Sequence, residues 1–182
     1  GFLGSHLLSA LLEEGHKVVV LKRSTSSILR INHLMDDIVV YDIDMYALDD
    51  IFAHECIEVV IHVATSYSRE QRNELDIVDT NIVLGINLLK SAAKHGVRIF
   101  INTDTFFNID NLLASHMQAY ALSKKQFIEW LKYFSFSGVS VINMKIHHVY
   151  GPGDNSDKFI PWLQTNLINN SEPIKLTSGI QL

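Results

Sequence analysis

Residues 1–21 read GFLGSHLLSALLEEGHKVVVL, and this opening decides the fold. Gly1 and Gly4 bracket a turn that runs straight into a helix predicted over residues 5–14, where Leu7, Leu8, Leu11 and Leu12 recur at helical spacing. Gly15 sits where a left-handed C-terminal cap belongs. His16-Lys-Val-Val-Val-Leu21 then has the β-branched density of a buried parallel strand over 17–21. Glycine turn, helix, strand is an order that gathers free N–H groups and the helix dipole at one point, the arrangement that holds a pyrophosphate. A complete dinucleotide fingerprint carries one more glycine upstream, after a first strand. The chain is therefore expected to start inside that motif and to lack its first strand.

Outward from this opening the elements alternate. A short helix is predicted over 28–33, a strand over 38–42, a helix over 46–54 and a buried strand over 59–63. A long helix follows over 75–95, with Ile77, Val78, Ile82, Leu84, Leu88 and Leu89 on its apolar positions and Gly96 at its end. Arg98-Ile-Phe-Ile-Asn102 is the next strand, with Thr103, Asp104 and Thr105 at its carboxyl end. A helix over 117–134 and a strand over 139–144 come next. Strict alternation predicts an α/β fold, a Rossmann-like doubly wound parallel sheet with helices on both faces. Ligands of such sheets gather at the carboxyl ends of strands, so Thr65, Thr103 and the pair His147-His148 are expected at one crevice. From Gly151-Pro-Gly-Asp154 onward the pattern changes. The expected division is a dinucleotide-binding domain over 1–150 and, over 151–182, the start of a truncated substrate-binding region with a helix-like stretch at 159–169.

Composition narrows the function classes. The chain has 182 residues, is 47% hydrophobic and carries a formal net charge of -5. That charge argues against nucleic acid as a partner. No apolar run approaches the ~20 residues that span a bilayer, and no signal peptide is visible, so a cytoplasmic enzyme with no membrane partner is expected. Cys56 is the one cysteine, which excludes an internal disulfide; a small core or half-buried role is expected for it.

The chemistry centres on Tyr120 and Lys124, four residues apart and therefore on one helix face. A phenol ordinarily titrates near ~10, and a neighbouring ammonium favours its ionised form, so Lys124 is expected to lower the pKa of Tyr120. A Thr103 hydroxyl arriving from a strand end would hold a carbonyl or alcohol oxygen between itself and Tyr120. That set moves a proton on and off an oxygen while a hydride moves on carbon. Asp104 has two open readings: contact with substrate or help in proton transfer, and a carboxylate that bonds backbone N–H groups at the strand end. Lys22-Arg23-Ser24 follows the second strand, where an acid would bond ribose hydroxyls and a cation would take a 2′-phosphate. This points to NADPH, with NAD(H) as the lesser choice and a solvated basic turn as the plain alternative. His62 is expected to be a satisfied core histidine. No third ligand has suitable spacing to His147-His148, so no metal is expected.

Gly1-Phe-Leu-Gly4, Val60-Ile-His-Val-Ala64, Asn81, Thr103, Tyr120-x-x-x-Lys124 and Val149-Tyr-Gly-Pro-Gly153 together resemble the extended short-chain dehydrogenase/reductase family, the nucleotide-sugar epimerases, dehydratases and reductases. Asn102-Thr-Asp-Thr-Phe-Phe107, His116-Met117, Asn143-Met144, His148 to Asp154 and Lys158-Phe-Ile-Pro161 are similar to its reductases of CDP-linked 4-keto-3,6-dideoxysugars, which serve O-antigen synthesis. The resemblance implies NADPH-dependent reduction at C4 of a nucleotide sugar, with Thr103, Tyr120, Lys124 and Asp104 in the catalytic set. It implies that Gly1, Phe2, Leu3, Gly4, Arg23, Ser24, Asp42, Ile43, Val63, Ala64, Thr65, Lys124 and His147 meet the cofactor. It implies that Thr65, Ser66, Thr103, Asp104, Thr105 and His148 face the substrate; Thr65 and Ser66 would otherwise cap the next segment. Thr105 stands where the dehydratases of the family have a glutamate base, which disfavours dehydration. The resemblance further implies a homodimer through helices 75–95 and 117–134, against which stands a purely intramolecular core. Two rival functions are an NAD-dependent nucleotide-sugar 4-epimerase and a non-catalytic dinucleotide sensor. The 182-residue chain by itself is expected to be inactive.

Overall fold

The structure is a computed structural model that describes residues 1–67, 73–108, 117–169 and 174. Helix α1 (Phe2–Glu13) begins directly after Gly1, three residues earlier than the leucine pattern requires, and the Ser5 N–H closes its first turn on the Gly1 carbonyl at 3.0 Å. Gly15 turns the chain with φ +79°, where a side chain would be strained, and the chain enters strand β1 (Val19–Lys22). A 3-10 turn at Asn32–Asp37 replaces the helix expected over 28–33. Strand β2 (Val39–Asp42), helix α2 (Leu48–His54) and strand β3 (Val59–His62) follow. The long helix is in three pieces: α3 (Glu74–Val78), a π-turn at Asp79–Val83, and α4 (Leu84–Lys94). Strand β4 (Ile99–Thr105), helix α5 (Gln118–Ser135), strand β5 (Ser140–Ile146) and helix α6 (Phe159–Ile168) complete the series.

All strand pairs are parallel, which gives the doubly wound α/β class that the alternation predicts. β1 pairs with β2, and β3, β4 and β5 form a second sheet in that order. β4 is longer than the apolar run Ile99–Asn102 suggests. It stays paired with β5 to its last residue, in the register Thr103↔Met144, Asp104↔Lys145 and Thr105↔Ile146. The polar triplet is thus inside the strand, and its side chains alternate between faces. A helix-side core packs Phe52 of α2, Leu88, Leu89 and Ala92 of α4, and Phe127, Leu131 and Phe134 of α5 against Phe100 of β4. Each buried Phe or Leu there stabilises the fold by about 1.5–3 kcal/mol. Gly85 allows α4 and α5 to approach: a Cβ in its place would overlap the Phe127 ring. Cys56 is exposed rather than half-buried, because it lies in the open stretch between α2 and β3.

The chain forms two compact units, one of Gly1 and Leu3–His147, the other of Phe2 with His148–Leu182. In the second unit Lys158 pairs with Asp154 at 2.8 Å and lies 5.3 Å from the Phe2 ring centre. Among the described residues no helix is long and apolar enough to cross a membrane.

Candidate active site

The carboxyl end of β4 carries the polar triplet, and each member points to different work. The Thr103 hydroxyl donates to the His62 carbonyl at 3.1 Å, which ties β4 to β3. Asp104 is buried, and its carboxylate accepts from the Thr105 N–H at 2.7 Å, from Asn143 Nδ2 at 3.0 Å and from Asn108 Nδ2 at 3.3 Å. Asn143 in turn accepts from Asn102 Nδ2 at 2.7 Å. These contacts are those of a strand-end clamp. Thr105 shares the strand face of Thr103 and reaches the Tyr120 phenol.

Tyr120 and Lys124 stand one turn apart on α5 and are both buried, Lys124 with 2% exposure. The Lys124 ammonium donates to the Thr103 carbonyl at 2.9 Å. Burial lowers its pKa to about 8, and the Asp104 carboxylate opposes that shift. Burial raises the pKa of the Tyr120 phenol; hydrogen bonding with Thr105 and Thr65 works against this, while Tyr67 and Asp104 add to it. The Tyr120 pKa is thus raised overall, where the Tyr-Lys spacing leads one to expect it lowered. Desolvation disfavours the phenolate more than its surroundings favour it. The Tyr67 ring lies 5.1 Å from that of Tyr120, tilted by 54°.

Beneath this pair Asn81, in the π-turn and fully buried, uses both ends of its amide. Its oxygen accepts from the Ser66 N–H at 2.7 Å and from the Thr65 hydroxyl at 3.4 Å. Its nitrogen donates to the Ser66 carbonyl at 2.9 Å and to Ser123 Oγ at 2.9 Å, and Ser123 donates to the Tyr120 carbonyl at 2.8 Å. One side chain thus fixes the segment after β3 to the helix that carries Tyr120. A π-turn advances one extra residue and re-aims a side chain, and such turns recur at functional sites. Tyr67 and Ser123 are site residues that sequence reasoning missed, and Asn81 entered only as a family mark. An amide between Thr80 and Ile82, within the apolar stripe Ile77–Leu89, is the signal available for Asn81.

His62 is a neutral core histidine, its pKa lowered to about 3 by burial and by Lys124. Its ring packs against those of Phe100 and Phe127 at 6.1 and 5.7 Å. It is not satisfied, however: Nε2 lacks a hydrogen-bond partner, as does Oδ1 of its register partner Asn102. His147 stacks on Phe106, with ring centres 5.4 Å apart and planes 13° from parallel. His148 falls in the other unit.

The glycine turn meets the condition for a dinucleotide at α1. A Cβ on Gly4 would lie 3.3 Å from Val63 Cγ2, so a small residue lets α1 sit close on the end of β3, and Gly1 has no side-chain cap. Gly1, Phe2, Leu3 and Gly4 form the first turn; Val63, Ala64 and Thr65 follow β3. At the carboxyl ends of β1 and β2 the expected basic turn is matched by acids. Lys22 pairs with Asp42 at 3.2 Å and Arg23 with Asp44 at 3.3 Å. Ser24 donates through its hydroxyl to Asp42 at 2.8 Å and through its N–H to Asp44 at 2.9 Å. Ile43 stands between the two acids. Spacing alone hid this pairing, because the acids arrive from the neighbouring strand. Among the described residues no cluster of three or more His, Cys, Asp or Glu could hold a metal ion.

A parallel sheet with a glycine turn at its first helix and a buried Tyr-Lys pair beside its strand ends is a Rossmann-like α/β fold. The chain belongs to the NAD dependent epimerase/dehydratase family, whose profile matches residues 1–182. It is 32% identical to the CDP-abequose synthase of Salmonella typhimurium LT2 over 188 aligned residues, covering 100% of this chain and 61% of that protein. It is 30% identical to the CDP-abequose synthase of Salmonella muenchen, covering 94% of this chain and 58% of that protein. The chain thus spans about three-fifths of these curated relatives. In fold it is similar to the UDP-glucose 4-epimerase of Thermotoga maritima solved with UDP-glucose: TM-score 0.80, 23% identity, 98% of this chain and 64% of that one. A Bordetella bronchiseptica enzyme, WbmH, solved with NAD+, matches with TM-score 0.72 and 23% identity over 92% of this chain and 60% of that one.

Proposed function

We propose that the protein to which this chain belongs reduces the 4-keto group of a CDP-linked 3,6-dideoxysugar with NADPH, as a step in O-antigen sugar synthesis. The observation that carries this reading is the buried Tyr120 phenol at the strand ends, set beside the Thr65 and Thr105 hydroxyls with Lys124 one turn away. The 32% identity to a CDP-abequose synthase over the whole chain supports the substrate class.

A nicotinamide dinucleotide would be held by Gly1 to Gly4, Asp42, Ile43, Val63 and Ala64 and would supply the hydride. Tyr120 has the task of giving its phenolic proton to the O4 oxygen as the C4 carbonyl becomes an alcohol. Its raised pKa keeps it protonated at neutral pH, which is the state a proton donor needs. Lys124 stabilises the phenolate left behind. Thr65 and Thr105 orient the phenol; Thr103, its hydroxyl committed to His62, holds Lys124 through its carbonyl. Asp104 holds the strand end in place.

An NAD-dependent nucleotide-sugar 4-epimerase is the second reading. One observation favours it: Lys22 and Arg23 each already carry an aspartate partner. The deciding experiment offers the natural protein NADPH and a CDP-4-keto-3,6-dideoxyglucose, with Tyr120→Phe as control. Oxidation of NADPH that the control lacks supports the reductase. Interconversion of C4 epimers with no net oxidation sinks it.

A further inference from the structure

We propose that Asp44 is the residue that sets the choice between a 2′-phosphorylated and an unphosphorylated dinucleotide, by seating its own carboxylate where the 2′-phosphate would bind. This rests on the reading above that the chain holds a nicotinamide dinucleotide, and it weighs toward the unphosphorylated form that the second reading uses. Asp44 Oδ1 takes the Arg23 guanidinium at 3.3 Å and Oδ2 takes the Ser24 N–H at 2.9 Å. A guanidinium and a backbone N–H converging from the end of β1 are the donors that suit a phosphate monoester. They lie at the strand end where adenosine ribose is read in this fold. The second acid, Asp42, is committed elsewhere, to Lys22 Nζ and the Ser24 hydroxyl, and its oxygen also accepts the Asp44 N–H at 3.0 Å. That last bond forms an Asx-type turn that aims Asp44 back across the strands. The four formal charges of Lys22, Arg23, Asp42 and Asp44 cancel. Among these four groups a 2′-phosphate therefore meets both cations already paired with aspartates, and it competes with the Asp44 carboxylate for Arg23. The two ribose hydroxyls of the unphosphorylated cofactor can instead donate to the same acid. The pair is half-exposed, so the exchange is open to solvent and its cost is small.

The test is binding, measured by calorimetry on the full 182-residue chain with two probes, adenosine 2′,5′-bisphosphate and adenosine 5′-monophosphate. Asp44→Asn keeps the shape and the turn but removes the charge. It is expected to tighten the bisphosphate by roughly threefold to tenfold while the monophosphate changes less than about twofold. Adding Arg23→Ala is expected to erase that gain. Circular dichroism of each variant confirms folding, and Asp44→Ser serves should Asp44→Asn misfold. A folded Asp44→Asn or Asp44→Ser chain whose preference between the two probes equals the parent's overturns the proposal. Failure of both probes to bind any folded variant overturns the cofactor reading on which it stands.

Discussion

Lys124 combines two opposing demands in one side chain: it must be charged to steady a phenolate, and it is almost wholly buried. Its folded pKa of about 8 lies below the ordinary 10.5, so between those values the unfolded chain binds the extra proton. Stability contributed through this group therefore rises as pH climbs from about 8 toward 10.5 and is at its lowest below 8. Lys124→Met, which keeps the stem and drops the charge, is expected to lose that rise, read as Tm against pH for the two proteins. Activity of the natural protein should run the other way. The rate is expected to fall as pH passes through about 8 upward, because the ammonium that supports the Tyr120 phenolate discharges. Tyr120→Phe is expected to lower kcat by about 10²–10⁴-fold with binding of cofactor retained. His62 carries the opposite limb of the stability profile. Its folded pKa of about 3, against 6.5 unfolded, means that the unfolded chain gains a proton first on acidification. Stability is expected to drop as pH falls from 6.5 toward 3, and His62→Phe should remove that part of the drop in a denaturant titration.

The π-turn between α3 and α4 shows how far an element could be read and where reading stopped. The apolar positions of residues 75–95, Gly96 with φ +72° and the helix carrying Tyr120 were all legible, because a helical period and a cap are local properties of sequence. The break at Asp79–Val83 was not, because a π-turn leaves the apolar stripe intact and is chosen by what Asn81 binds across the fold. The extension of β4 through Thr103-Asp104-Thr105 escaped for a related reason: polar residues resist the strand pattern, and their pairing is supplied by β5. Of the residues named from sequence, Thr65, Thr105, Asp104 and Lys124 are near Tyr120, and the hydroxyl work divides differently, with Thr105 and Thr65 at the phenol and Thr103 on His62. Asn81→Ala removes the two bonds that the buried Ser66 backbone makes to the Asn81 amide. It is expected to cost about 1–3 kcal/mol in denaturant unfolding and to disturb the Tyr120 backbone through Ser123. Asn81→Asp, which keeps the acceptor and loses the donor, should separate the two halves of the clamp. Gly85→Ala forces Phe127 aside, and overpacking of this kind costs about 1–3 kcal/mol.

At the level of the folded first unit, the helices that build the site also expose apolar surface on their far sides. Leu122, Trp130 and Tyr133 of α5 are 55%, 42% and 64% exposed, and Leu75 and Val78 of α3 and Val83 of the π-turn are exposed as well. Scattered exposed apolar residues need no explanation, but six on helices that pack against one another are the composition of a candidate interface. α5 contacts α3, the π-turn and α4, so the exposed side chains belong to one packed group rather than to separate loops. We read this face as the contact between two copies of the protein, in which the helix pair of one copy meets that of its partner as a four-helix bundle. Such a dimer would stiffen α5 from behind and hold Tyr120 and Lys124 at fixed depth. Charge placed at its centre is the decisive change. Trp130→Glu with Leu122→Glu leaves the buried face of α5 untouched, since Phe127, Leu131 and Phe134 carry the core. Sedimentation equilibrium is expected to give twice the chain mass for the natural protein and the single chain mass for the double variant, with helical circular dichroism unchanged. A natural protein that sediments as a monomer at tens of micromolar would remove the dimer reading and leave the patch to another partner.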